Sequence, residues 1–254
     1  NVSGQVRLDV RAVGTSHDPH FQGLIEIGDA AFLVTSTGAR YQNGRATLRL
    51  ATDRVEVASL HVEDTGGRSI EVSGSLGTHE MRVGDLEINV TARRVEVLRN
   101  EFGRVEIDAD LRLRGRFESP TVVGTLSIAS GTLNVDEILE RTLLRPYATE
   151  PMPIANTDAI AALNPWSRMG LDITLSIPQE LRLSGADLQV AAGTPIGLGD
   201  VNLRVGGDLY LYKDPDMPLS ITGSLDRVTG WYRFQGRRFD IDEAGSSINF
   251  FGDV

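Results

Sequence analysis

The chain has 254 residues, 41% apolar and 24% charged, and this ordinary balance excludes disorder. No run approaches the 18 or more consecutive apolar residues of a membrane-crossing helix, and a net charge of −10 without a Lys/Arg cluster along the sequence repels nucleic acid. Having no cysteine, it has no disulfide framework, thiolate zinc site or cysteine nucleophile, and is compatible with cytosol or periplasm.

The start, Asn1, does not look natural, so the chain reads as an excerpt of a longer protein. Its first strand-like run, Gly4 to Val10, precedes Gly14 and then the pattern Pro19, Gly23, Ala30. That pattern returns as Pro120, Gly124, Gly131 and as Pro218, Gly223, Gly230, with the central glycines 101 and 99 residues apart. Gly103 to Ala109 stands ahead of Gly115 as the first run stands ahead of Gly14. Such a repeat implies an extended stack of similar units, each completing its neighbour's core. One elongated body over residues 1–254 is expected, with units of about 1–100, 101–170 and 171–254.

Between these signatures the dominant pattern is alternation. From Val105 to Arg114 every odd position is apolar and every even one charged, which puts the apolar side chains on one strand face. The same period appears in Leu86 to Ala92, Leu171 to Ile177, Val201 to Val205 and Leu209 to Tyr212. Turn signals stand at Asn43-Gly44, Gly66-Gly67, Gly206-Gly207 and Asp214 to Asp216, so the chain reads as a long antiparallel meander of short strands. An irregular insert over 134–168 interrupts it. Asp136 to Arg145 has the acids, basic end and apolar spacing of a helix stopped by Pro146, and Thr157 to Leu163 reads as a short second one, with a loop between them.

A sheet with one apolar face must cover it, since each buried large aliphatic side chain is worth about 1.5–3 kcal/mol. Two short helices are too few, and a linear repeat fits poorly with a closed barrel, which leaves a sheet folded lengthwise on itself. The enclosed face is either a packed seam or an aliphatic groove; the residues alone leave both open. The side chains expected to face inward are Val105, Ile107, Leu111, Leu113, Leu171, Ile173, Leu175, Ile177, Leu181, Leu183, Val201, Leu203, Val205, Leu209 and Leu211. Ile138, Leu139, Leu143 and Leu144 on the first insert helix either pack on the groove side or cap or gate it.

The run from Gly223 to Gly252, with Thr229-Gly230, Trp231, Phe234-Gln235-Gly236, Phe239 and the closing Phe250-Phe251-Gly252, resembles the C-terminal pattern of TamB-type translocation and assembly proteins. The glycine, proline and glycine spacing at Gly14 and Gly115 is similar to that family's repeats. The resemblance implies an all-β fold, an elongated antiparallel sheet folded into a U-shaped β-taco with a hydrophobic groove. It also implies a periplasm-crossing, inner-membrane-anchored protein of a diderm bacterium that moves phospholipid toward the outer membrane. The partners it implies are phospholipid acyl chains and an outer-membrane TamA-like barrel. An assembly scaffold that pairs with nascent outer-membrane strands by β-augmentation is the alternative.

Nothing in the sequence points to catalysis or a cofactor. There is no Gly-x-Ser-x-Gly elbow, and Gly193 to Gly199 lacks the lysine and hydroxyl of a phosphate loop, so it reads as a hairpin connection. His17, Asp18 and His20 could in principle hold a metal, but a solvated turn is the better reading of their short connection. Trp166 and Trp231 are expected as core anchors.

Overall fold

Alternating stretches that share one apolar face find each other as neighbours, and here they build a single sheet. The computed structural model describes residues 2–14, 19–79, 82–143, 165–189, 197–242 and 245–253. Its strands are β1 (Val2–Gly14), β2 (Pro19–Val34), β3 (Ala39–Ala51), β4 (Arg54–Asp64), β5 (Ser69–His79), β6 (Arg82–Asn100), β7 (Gly103–Arg116) and β8 (Thr121–Asn134). After α1 (Val135–Leu143) and α2 (Pro165–Arg168) come β9 (Gly170–Gln189), β10 (Gly197–Lys213), β11 (Ser220–Phe234), β12 (Arg237–Ile241) and β13 (Ile248–Asp253). Among the described residues more than four-fifths are in strands, which form one long sheet that does not close into a barrel. Strand order follows chain order from β1 to β12, and β13 pairs with the other half of β11, so β12 and β13 share one edge.

Two features differ from the sequence reading. The meander is antiparallel except at one step, where β8 and β9 run parallel, Thr121 opposite Gly170 and Leu133 opposite Leu183. A parallel return needs a long crossover, and the insert supplies it. Asn43-Gly44 and Gly206-Gly207 are not reversals between strands but bends inside β3 and β10. Bulges of this kind recur across the sheet: register shifts fall between Ile27 and Ala30, Gln42 and Arg45, Ala92 and Val95, Ser127 and Gly131, and Val205 and Gly207. A bulge adds backbone to one strand and bends it, so a succession of bulges folds the sheet lengthwise. Asp29, Asn43, Arg94 and Gln179, each at a bulge, hold left-handed φ angles of 51°, 54°, 53° and 60°.

The repeated glycines have a shared structural reason. Gly23, Gly124 and Gly223 have φ of 148°, 139° and 118°, and a Cβ at any of them would overlap the carbonyl oxygen of the preceding strand, at Asp9, Asp110 and Asp208 respectively. Only glycine combines that φ with so close an approach.

The enclosed face carries three apolar clusters. Ala39, Tyr41, Val62, Ala92, Val95 and Ala109 form the first. Val122, Leu171 and Ile173 form the second, joined to the first through the shared neighbours Leu111 and Leu126. Ile177, Leu181, Val205, Leu209, Leu225 and Val228 form the third.

Candidate functional site

The inner face of β7, β9 and β10 brings the expected lining residues together. Ile107 and Leu111 pack on the first cluster, and Leu113, Leu171, Ile173 and Leu211 belong to the second with Leu111 again. Leu175, Ile177, Leu181, Leu183, Leu203, Val205 and Leu209 belong to the third. Val105 is buried and Val201 half-buried. Register explains the gathering: Leu111 stands opposite Gly124, which stands opposite Ile173, and Ile173 stands opposite Leu211. Leu209 and Leu211 share the inner parity, while Tyr210 and Tyr212 stack on the outer face with ring centroids 6.2 Å apart. Several lining residues, Ile107, Leu113, Leu175, Leu183 and Leu203 among them, are only half-buried. Among the described residues no second layer covers them completely.

α1 begins over this same face. Gly185 continues the inner parity of Leu181 and Leu183, and a Cβ there would touch Val135 Cβ and Asp136 N, each at 3.3 Å. Ile138 and Leu139 are half-buried, Leu143 ends the helix, and Leu144 and the expected second helix lie outside the described residues. Trp166 is no core anchor: it is 50% exposed, on α2, with the Lys213 ammonium 5.9 Å from its ring centroid. Trp231 is half-buried, with the Arg233 and Arg238 guanidiniums 5.2 and 5.4 Å from its ring centroid. His20 places Nδ1 3.0 Å from the Thr52 carbonyl, while His17 and Asp18 lie outside the described residues.

At one end of the sheet β4 and β6, which are not ladder neighbours, are tied together by charges that sequence reading missed. β5 stops pairing at Ile70, opposite Ala92, so the last residues of β6 lose their ladder partner on that side. Side chains and turns replace it. Asp64 Oδ2 accepts the Glu96 N–H at 3.0 Å, Tyr41 donates its hydroxyl to the Glu96 carbonyl at 3.1 Å, and the Arg99 N–H reaches the Thr37 carbonyl at 2.8 Å. Across the next ladder Glu96 stands directly opposite Glu106, a repulsive pair by itself. Arginines neutralise it: Arg104 Nε is 2.6 Å from Glu96, Arg68 Nη1 is 2.7 Å from Glu106, and Arg99 and Arg94 add contacts at 3.2 and 3.6 Å.

Burial alone would raise the Asp64 carboxyl, but N–H donors from Glu96, Arg68 and Gly66 and the Arg68 charge outweigh it and hold the pKa below the ordinary value. Glu106 is likewise lowered, burial being overcome by Arg68, Ser130 and Arg104. The Tyr41 hydroxyl is raised by burial and by the Asp64 and Glu96 charges. The contacts of Glu96 with Asp64 and Tyr41 join residues 32 and 55 positions apart, whereas the Asp64 to Arg68 turn and the Glu96–Arg99 and Arg104–Glu106 pairs are local in sequence.

A long open sheet folded lengthwise around an aliphatic interior defines a β-taco-like structural or transport module. The chain belongs to the TamB family, matching the model of the TamB C-terminal domain over residues 58–254. This membership supports a role in the translocation and assembly module, a structural and transport family rather than an enzymatic one. No significant match was found among curated proteins or solved structures. Among the described residues no helix is long and apolar enough to cross a membrane.

Proposed function

We propose that this segment shields phospholipid acyl chains along its inner face as part of a periplasm-spanning conduit toward the outer membrane. The half-buried aliphatic lining from Ile107 and Leu111 through Leu175, Leu183 and Leu203 carries the reading. Burial of an acyl chain there offers about 0.8 kcal/mol per CH₂. A uniform lining gives nearly equal successive sites, so a chain can slide with no chemistry and no cofactor. Ile138, Leu139, Leu143 and Leu144 would then cap or gate the groove, a reading supported by the way α1 starts over Gly185. The partner at the outer membrane is a TamA-like barrel. Native mass spectrometry with lipid extraction, on protein purified without detergent, tests the reading. Copurified phospholipid should be found, and should be lost from an Ile107→Asp, Leu111→Asp double variant whose circular dichroism is unchanged. Well-folded wild type free of lipid overturns it.

The exposed edge at β1 favours a second reading, strand addition to nascent outer-membrane proteins. All thirteen β1 residues are exposed and, among the described residues, the strand pairs with β2 alone. An unpaired edge of that length is a template for another strand. Leu8→Pro should then abolish capture of an unfolded outer-membrane protein that Ile107→Asp leaves intact, whereas the conduit reading requires the reverse sensitivity in lipid binding.

A further inference from the structure

The outer, convex face carries a feature that the apolar interior does not explain. Arg182 on β9 and Arg204 on β10 stand directly opposite each other in the ladder, and like charges in that position repel. Thr132 on β8 is opposite Arg182, and Arg104 on β7 is opposite Thr132, so three arginines and a hydroxyl form one row across four strands. The parity is outward, since the flanking Val105, Leu181, Leu183 and Val205 face the interior. Elsewhere the same sheet opposes two like charges, Glu96 and Glu106, and surrounds them with arginines at 2.6 to 3.6 Å. Arg182 and Arg204 receive no such compensation: among the described residues neither has a carboxylate partner or a side-chain hydrogen bond.

Their guanidiniums line a cleft of about 330 Å³ together with Arg104, Glu106, Ser130, Thr132 and the bulge residues Gln179 and Glu180. Glu106 is already engaged by Arg68, Arg104 and Ser130, which leaves Glu180 as the one uncommitted acid in the wall. The bulge is a built feature. Gln179 holds a left-handed φ of 60°, and the turn fits only because residue 206 is glycine, where a Cβ would stand 2.7 Å from Gln179 N and Ile177 O. Strained backbone maintained beside uncompensated charge is the arrangement of a ligand clamp.

We propose that this cleft binds a phosphate group. Two forked guanidiniums with free N–H donors match the oxygens of a phosphate monoester or diester, and the Thr132 hydroxyl adds a neutral donor. The site lies on the face opposite the acyl-chain lining and stands or falls independently of it. The phosphate source is a free phosphate ester or a lipid headgroup presented at a membrane surface, and the experiment separates the two.

Thermal unfolding is followed with inorganic phosphate and with chloride at matched ionic strength. Co-sedimentation uses vesicles of phosphatidylglycerol in phosphatidylcholine. The wild type should gain Tm with phosphate beyond the chloride control, and Arg182→Gln and Arg204→Gln should each weaken that response at least tenfold in apparent affinity. Arg114→Gln, exposed on the same face, should leave it unchanged. Without phosphate, either cleft variant should melt higher than the wild type because the cross-strand repulsion is relieved, which separates a lost site from a damaged fold. Arginine-dependent sedimentation with vesicles identifies a headgroup site, and a phosphate response without it identifies a free ester site. No phosphate-specific gain in the wild type, or a gain that survives both variants, overturns the proposal.

Discussion

The carboxylate of Asp64 stands in for a missing strand: its Oδ2 accepts the Glu96 N–H at 3.0 Å where β5 has ended, and its Oδ1 accepts the N–H groups of Gly66 and Arg68 at 2.8 and 3.0 Å. Asp64 is 1% exposed, so nothing in the solvent can replace it. Asp64→Ala strips the buried Glu96 N–H of its acceptor and Arg68 of one carboxylate. Loss of one partner from a buried ionic arrangement costs about 3–5 kcal/mol. Urea unfolding should show a loss of stability of that size, read as the midpoint shift multiplied by the slope of the transition, and an unchanged midpoint would remove Asp64 from the account of what holds this end together.

The lowered carboxyls set the direction of the acid response. A pKa below its unfolded value contributes stability above the unfolded value and loses it as pH falls through the folded one. With ordinary carboxylate values near pH 4, the contribution of Asp64 and Glu106 should be complete at neutral pH and decline only below about pH 4. Unfolding free energy across pH 3–7 checks this, and the decline should be shallower in Glu106→Gln.

His61 should show the opposite sign. Hydrogen bonds to Glu71 at 2.7 Å and to Glu63 at 3.1 Å raise its pKa. Its contribution is present below the ordinary value and lost as pH rises through the folded one. An NMR titration should place its midpoint above the ordinary histidine value, and Glu71→Gln should bring it down.

Glycine substitutions should divide by location rather than by φ alone. Gly124→Ala combines a φ of 139° with overlap on the Asp110 carbonyl, and strained backbone of this kind costs on the order of 1–3 kcal/mol before any displacement of β7. Gly236→Ala, with a φ of 77° and open space around the new Cβ, should cost only about 1 kcal/mol. Parallel denaturation curves test the difference.

Lys213 is 3% exposed and gives its ammonium to the carbonyls of Ser167, Met169 and Asp214 at 2.9, 3.0 and 3.2 Å. Lys213→Met keeps the stem and leaves those carbonyls unpaired, at about 1–3 kcal/mol for a buried group. Hydrogen exchange should accelerate around 165–172 more than in β3, where no contact changes.

Much of the interior was legible because alternation is a local property. Val105 to Leu113 and Leu171 to Ile177 declare their inner side chains by parity alone, and the glycines with the closing Phe250-Phe251-Gly252 pointed to the family. What escaped depends on register between strands far apart in the chain. Asn43-Gly44 and Gly206-Gly207 look like reversals, because a bulge and a hairpin want the same backbone freedom. The Arg182 and Arg204 pair is invisible in a sequence where each arginine merely follows a leucine, so the absence of a basic cluster held along the chain and failed in space.

The lone parallel step between β8 and β9 accounts for an oddity of the repeat. Gly23, Gly124 and Gly223 are almost evenly spaced in sequence, yet they fall on β2, β8 and β11, six strands apart and then three. In an unbroken antiparallel meander, three strands would turn the last copy around. Because β9 starts from the same rim as β8, β11 again runs in the direction of β2 and β8, and all three glycines sit within a few residues of the same rim. The crossover therefore keeps the kinks in phase along the length of the sheet, and an insert that looks like an interruption preserves the period.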